Sequence, residues 1–133
     1  MSRSERSVGE LNRLSGQVVL SAIAVHAALG PGLLEGAYEA CLARELRLRG
    51  VRVETQVALP VMYRGERVDV GYRLDLLVSR SIVVEVKAIA KLLPIHHAQL
   101  LSYLRLSGLR LGLLVNFHVP QLRDGIKRMA NGL

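Results

Sequence analysis

Asp75, Glu85 and Lys87 stand inside two short apolar runs, Tyr72-Arg-Leu-Asp75-Leu-Leu-Val and Ile82-Val-Val-Glu85-Val-Lys87. Each run reads as a buried strand, and each carries charge where such a strand should carry none. Burying an ion costs several kcal/mol unless it is paired or bound to a metal. Side chains two apart on a strand share a face, so Glu85 and Lys87 point the same way. If the two runs pair through Ser79-Arg80-Ser81, Asp75 lies beside Glu85. Two carboxylates and the Val86 carbonyl would then offer hard oxygen ligands to Mg²⁺ or Mn²⁺. Such a site activates water and polarises a phosphoryl oxygen, which is phosphodiester-cleaving chemistry. Lys87 could orient the water or stabilise charge building on the phosphate. Arg73 is two residues before Asp75 and is expected on its face, as an ion pair or a phosphate contact. The competing reading of Glu85 and Lys87 is a structural salt bridge at a sheet edge.

These residues need elements to position them. The first six residues are polar and expected to fray. Ser7 to Leu29 reads as a helix, with Leu11, Leu14, Val18, Ala22 and Val25 at three- and four-residue spacing. Val19, Leu20, Ile23 and Ala24 widen its apolar surface, so it is buried on much of its circumference or meets a second copy of the chain. A homodimer is one expectation that follows. Gly30 stops this helix and Pro31 opens the next, Leu33 to Arg49, which Gly50 ends. From Val51 to Val57 the period becomes that of a half-buried strand, up to Pro60. Val61-Met-Tyr63 and Arg67-Val-Asp-Val70 flank a hairpin turn at Arg64-Gly65-Glu66. The two charged runs follow. Pro94 opens a helix to about Leu106, Leu111 to Phe117 is another strand, and Pro120 is expected to start a final helix carrying Arg123, Lys127 and Arg128. The order predicts a mixed α/β domain with one central sheet.

The bulk numbers set bounds. At 133 residues the chain makes one domain with a proper core. Its one cysteine, Cys41, cannot form an internal disulfide, and there are no Cys/His pairs at zinc spacing. The formal net charge is +7, from 15 Arg and 3 Lys against 11 acids. Arginine's fork suits phosphate, so a polyanionic partner fits, although an arginine-rich genome would raise Arg everywhere. Val18 to Leu29 is too short to span a bilayer, and Glu5 and Glu10 break the basic stretch that a leader would need. A cytoplasmic protein without a membrane partner is therefore expected.

Gly32-Leu-Leu-Glu35-Gly-Ala-Tyr38 reads as Gly-x-x-Glu-x-x-Tyr. With Tyr72-Arg-Leu-Asp75-Leu-Leu, Glu85-Val-Lys87, Lys91-Leu-Leu-Pro94, Gln99-Leu-Leu-Ser-Tyr103-Leu and Gly112-Leu-Leu-Val-Asn-Phe117, the chain resembles the GxxExxY family, which is placed in the PD-(D/E)xK nuclease superfamily. Each block is weak alone, but their order and spacing are specific. The superfamily's nominal first word is incomplete, because no proline precedes Asp75. The resemblance implies a restriction-endonuclease-like core, a mixed sheet flanked by helices, with the site at one sheet edge. It implies Asp75, Glu85 and Lys87 as the catalytic triplet. Glu35 becomes a further catalytic acid and metal ligand beside Asp75 and Glu85, where Glu39 and Glu45 are equally acidic but lie outside the pattern.

Gln99 and Tyr103 share a helical face at i,i+4 and look like the Gln-x-x-x-Tyr element of some superfamily nucleases. They could hold a water or a phosphate oxygen, with the alternative that Tyr103 packs on the sheet. Tyr38 and Tyr103 could stack on a base, although both also suit a core. His96 could face the same cleft, while His26, His97 and His118 read as structural. The expectation is a metal-dependent phosphodiester hydrolase acting on nucleic acid, DNA in the first instance. The alternative is a catalytically silent nucleic-acid- or partner-binding module of the same fold.

Overall fold

The computed structural model describes residues 6–133, so the expected fraying of the first residues falls outside the described residues except at Arg6. Arg6 is held: its Nε donates to Ser81 Oγ at 2.9 Å, and its carbonyl accepts from Arg110 Nη1 at 3.2 Å.

Helix α1 runs Val8–Leu29. Ser7 caps it reciprocally with Glu10, the Glu10 N–H donating to Ser7 Oγ and the Ser7 N–H to Glu10 Oε1. Leu11, Val18, Ala22 and Val25 are buried, as their spacing requires, while Leu20 and Ile23 remain exposed. Helix α2, Glu35–Leu48, buries Tyr38, Leu42, Ala43 and Leu46. Strand β1 is Val53–Ala58, and a separate two-stranded hairpin, β2 (Val61–Tyr63) and β3 (Glu66–Val68), follows. Then come β4 (Arg73–Val78), β5 (Ile82–Lys87), α3 (Pro94–Ser107) and β6 (Leu111–Asn116). Pro94 opens α3, where its missing N–H costs nothing, and Gly108 ends it at φ 74°.

The chain closes differently from its sequence expectation. In place of a final helix, Leu122–Gly125 is a single 3₁₀ turn and Ile126–Ala130 is strand β7, antiparallel to β6. The spacing of Arg123, Lys127 and Arg128 suited a helix, but two physical facts oppose one. Gly125 lies against the Asn116 carbonyl, where a Cβ would come within 2.2 Å of the oxygen. The free edge of β6 also needs a partner for its backbone groups, and β7 supplies it. Tertiary pairing here overrides local spacing.

The main sheet has the order β1-β4-β5-β6-β7. All its neighbouring pairs are antiparallel except β5 and β6, the parallel pair that α3 connects. α1 and α2 pack on one face, around Leu76, Val78, Ile82, Val84, Val86, Leu113, Val115 and Phe117. α3 covers the other, around Leu74, Val83, Leu100, Tyr103, Leu104 and Leu114. The result is an α/β architecture with a five-stranded mixed sheet between helices.

One irregularity bears on the site. Val53 packs toward α1 and α2 but Val57 toward α3, and the same reversal separates Leu76 from Leu74. Residues an even number apart should share a face. The reversal falls at Gln56, whose φ is 51°, and at Asp75, the position opposite it in the β1–β4 register.

Candidate metal centre

The β4–β5 ladder begins at the turn of Ser79 and Arg80. Both have left-handed φ, which a tight hairpin connection favours, and the Ser81 N–H donates to the Val78 carbonyl. Pairing then runs Val78↔Ile82, Leu77↔Val83 and Leu76↔Val84. At the next position side chains take over from the backbone. The Asp75 N–H donates to Glu85 Oε2 at 2.9 Å, and the Val86 N–H donates to Asp75 Oδ2 at 2.8 Å. The two acids thus interlock where the strands separate, each with one oxygen on a backbone N–H. Among the described residues Glu85 Oε1 accepts no hydrogen bond, and Asp75 Oδ1 has only a long contact of 3.4 Å from Gln56 Nε2.

This is an electrostatically costly arrangement. Glu85 is 5% exposed, and burial, then the charge of Asp75, push its carboxyl up to about 8. Asp75 is half-buried and is also raised by burial, against the pull of the Val86 N–H and of Lys87. Lys87 follows on the same face as Glu85. Among the described residues it forms no ion pair with either acid, so the expected alternative of a Glu85–Lys87 salt bridge is not what folds. Its backbone is fixed by the parallel partner: the Lys87 carbonyl accepts from the Phe117 N–H, and Asn116 is opposite in register. Buried Asn116 ties down the next segment, exchanging hydrogen bonds with both the N–H and the C=O of Ile89.

Glu35 opens α2, exposed, and its Oε2 accepts from the Ala88 N–H at 3.2 Å, one residue beyond Lys87. It is near enough for its charge to raise Asp75 further. Tyr38 is fully buried, stacked on Phe117 with ring centroids 4.5 Å apart. Its hydroxyl donates to the Gly30 carbonyl and accepts from the Leu33 N–H, so it binds the α1–α2 link together and offers nothing to a base. Across the sheet, exposed Gln99 donates from Nε2 to Tyr103 Oη at 3.1 Å. Burial, then the nearby charge of Glu85, raise the Tyr103 hydroxyl. Tyr103 also leans on Tyr72 at 5.9 Å, so it is at once core and site wall.

Two expectations about neighbours change. Arg73 is exposed and makes no ion pair with Asp75 among the described residues. His96 Nδ1 accepts from the Leu93 N–H at 2.9 Å, which makes it a helix cap.

Two residues of the site were not singled out by the sequence. Glu39 lies one turn after Glu35 on the same helical side, and its carboxylate accepts from Gln56 Nε2 at 2.9 and 3.0 Å. Burial and the charge of Asp75 both raise Glu39, the Gln56 bond opposing them. The i,i+4 spacing from Glu35 was the available signal. Gln56 carried none, because nothing in Val-Glu-Thr-Gln-Val announces a left-handed residue. A non-glycine residue in that region costs about 1–3 kcal/mol and persists only where its surroundings hold it.

The donor set suits a hard divalent cation in part. Mg²⁺ usually takes one or two carboxylates, keeping its other positions for water and phosphate oxygens. Asp75 and Glu85 supply those two, each with an oxygen to spare, and a cation would offset the burial that raises both and the charge of Asp75 that raises Glu85 further. No group of three or more His, Cys, Asp and Glu side chains among the described residues gathers tightly enough to hold an ion. Glu35, expected as a third ligand, has its Oε2 on the Ala88 N–H instead.

Residues 12–129 match the family profile of the PD-(D/E)XK nuclease superfamily. The chain belongs to that superfamily. Glu85-Val86-Lys87 spells its (D/E)-x-K word, and Asp75 precedes it by ten residues without the proline. Nucleases of the PD-(D/E)XK superfamily generally use divalent metal ions. Comparison with curated proteins and with solved structures gives no match. Among the described residues no helix of this superfamily member is long and apolar enough to cross a membrane.

Proposed function

We propose that this chain is a divalent-metal-dependent phosphodiesterase acting on nucleic acid, with DNA the first substrate to test. The observation that carries the reading is the interlocked pair of half-buried Asp75 and buried Glu85 at the open end of the β4–β5 ladder, with Lys87 beside it and, among the described residues, without an ion-pair partner. A structural pair of like charges without a cation would be a net loss to the fold. A cation held between the two carboxyls would offset that cost.

In this reading Asp75, Glu85 and the Val86 carbonyl would hold Mg²⁺ or Mn²⁺, and Glu35, whose Oε2 is on the Ala88 N–H, would be a further ligand if it left that bond. The cation, when bound, lowers the pKa of a water and polarises the phosphoryl oxygen. Lys87 aligns the attacking water and stabilises charge developing on the phosphate. Gln99 and Tyr103 hold a phosphate oxygen from the opposite wall, and exposed Arg73 meets the strand's backbone. The finer placement in the GxxExxY group belongs to the same proposal. Gly32 at φ 107°, Glu35 on Ala88 and Tyr38 on Gly30 and Leu33 give its three motif positions distinct jobs in seating α2 against the site. The chain would act as a single cytoplasmic domain.

The test is cleavage of plasmid, linear and single-stranded DNA and of RNA in Mg²⁺ and Mn²⁺. Asp75→Asn and Lys87→Ala should each lower turnover by about 10²-fold or more, while the wild type is silent in EDTA. Activity surviving both substitutions would refute the assigned site. DNA binding that weakens with salt, without cleavage in any metal, would favour the binding module instead.

A further inference from the structure

The geometry points to Gln56 as a positioning residue that holds Asp75 in its ligand-presenting orientation, with Glu39 as the anchor on the far side. The inference rests on the proposed metal centre and deepens it.

Three independent features meet at Gln56. Its backbone is left-handed at φ 51°, in the middle of β1, where an ordinary strand residue would be extended. It sits opposite Asp75 in the β1–β4 register, between the pairs Thr55↔Leu76 and Val57↔Leu74. Its amide lies between two carboxylates, 2.9 and 3.0 Å from Glu39 and 3.4 Å from Asp75 Oδ1. Carboxylates only accept when ionised, so the amide must turn its NH₂, not its oxygen, toward them.

The unusual backbone is what permits this reach. It reverses the face of β1 at that residue and sends the side chain to the α2 side, where Glu39 waits. Asp75 is then flanked from two directions, Oδ2 bonded to the Val86 N–H at 2.8 Å and Oδ1 in long contact with the Gln56 amide at 3.4 Å, which leaves that oxygen room for a cation. The Glu39 bonds keep the amide from following Asp75 if that acid rotates. Gln56 bears no charge, so it aligns Asp75 without competing for it as an arginine or lysine would. Groups that orient a metal ligand in this way typically change affinity by about 10- to 100-fold when removed.

Gln56→Gly separates positioning from mere stability, because glycine adopts the left-handed backbone without strain. A residue that only closes the strand would lose little or gain stability on this change. A positioning residue would lose site order while the melting temperature holds. Two measurements read this: Mn²⁺ binding by titration calorimetry, and hydrogen exchange of the Val86 amide, which reports the Asp75 hydrogen bond with no metal or substrate present. In Gln56→Gly, Mn²⁺ affinity should fall about tenfold or more and the Val86 amide should exchange faster. Glu39→Gln should shift both in the same direction by less. Unchanged Val86 protection in Gln56→Gly would overturn the inference, whatever the metal result. Wild-type protein that takes up no Mn²⁺ would refute the metal-centre reading instead, and Val86 exchange would still decide the role of Gln56.

Discussion

Glu85 concentrates the physics of this protein in one carboxyl group. An acid that ionises near 4.5 in an open chain is raised to about 8 in the fold, first by burial and then by Asp75. Between those values the folded protein keeps a proton that the unfolded chain has released. The stability associated with Glu85 is therefore whole below about 4.5 and is lost as pH rises through about 8. Asp75, raised in the same direction, adds to the trend. We predict that metal-free protein melts at progressively lower temperature from about pH 5 to pH 8.5, and that Glu85→Gln flattens this slope. Melting curves in EDTA check it; a melting temperature that rises across the window would contradict it. Because protons and cations compete for the same oxygens, Mn²⁺ affinity should also grow with pH over that range. The acids and Lys87 were visible in the sequence as charge inside apolar runs. Gln56 and its bond to Glu39 were not, since a left-handed residue in a strand has no signature in residue type when it is not Gly, Asn or Asp.

At the scale of elements, the site exists because β4–β5 pairing stops at Leu76↔Val84, short of the strand ends, and because β6 and Asn116 hold the end of β5 in place. Most of these elements follow from period and punctuation: capped α1, Pro94 and Gly108 around α3, and the alternation of β1. The end of the chain does not. Gly125 and Ile126–Ala130 are set by what they meet in space, the Asn116 carbonyl and the edge of β6, neither of which is near in sequence. A methyl group at position 125 would collide with that carbonyl, a backbone atom, so the turn would have to shift to admit it. Gly125→Ala should destabilise the protein by about 1–3 kcal/mol, read as a lowered midpoint in urea with an unchanged slope. A neutral effect would mean that the turn from β6 to β7 is looser than its packing implies.

The whole molecule is a basic protein of net charge +7 that carries an acidic pair in a sheet between two layers of helix. The overall charge suits a polyanion at long range, while the acids repel it locally until a cation intervenes. By this opposition a bound cation would favour the approach of a phosphodiester, a relation legible only in outline from composition and motif order. Whether Asp75 and Glu85 take a divalent cation is decided by an anomalous difference map from a crystal soaked in Mn²⁺. A peak touching an oxygen of Asp75 and one of Glu85 is expected. A map without a peak there, at millimolar Mn²⁺ and a pH above the raised value of Glu85, would contradict the metal-centre reading.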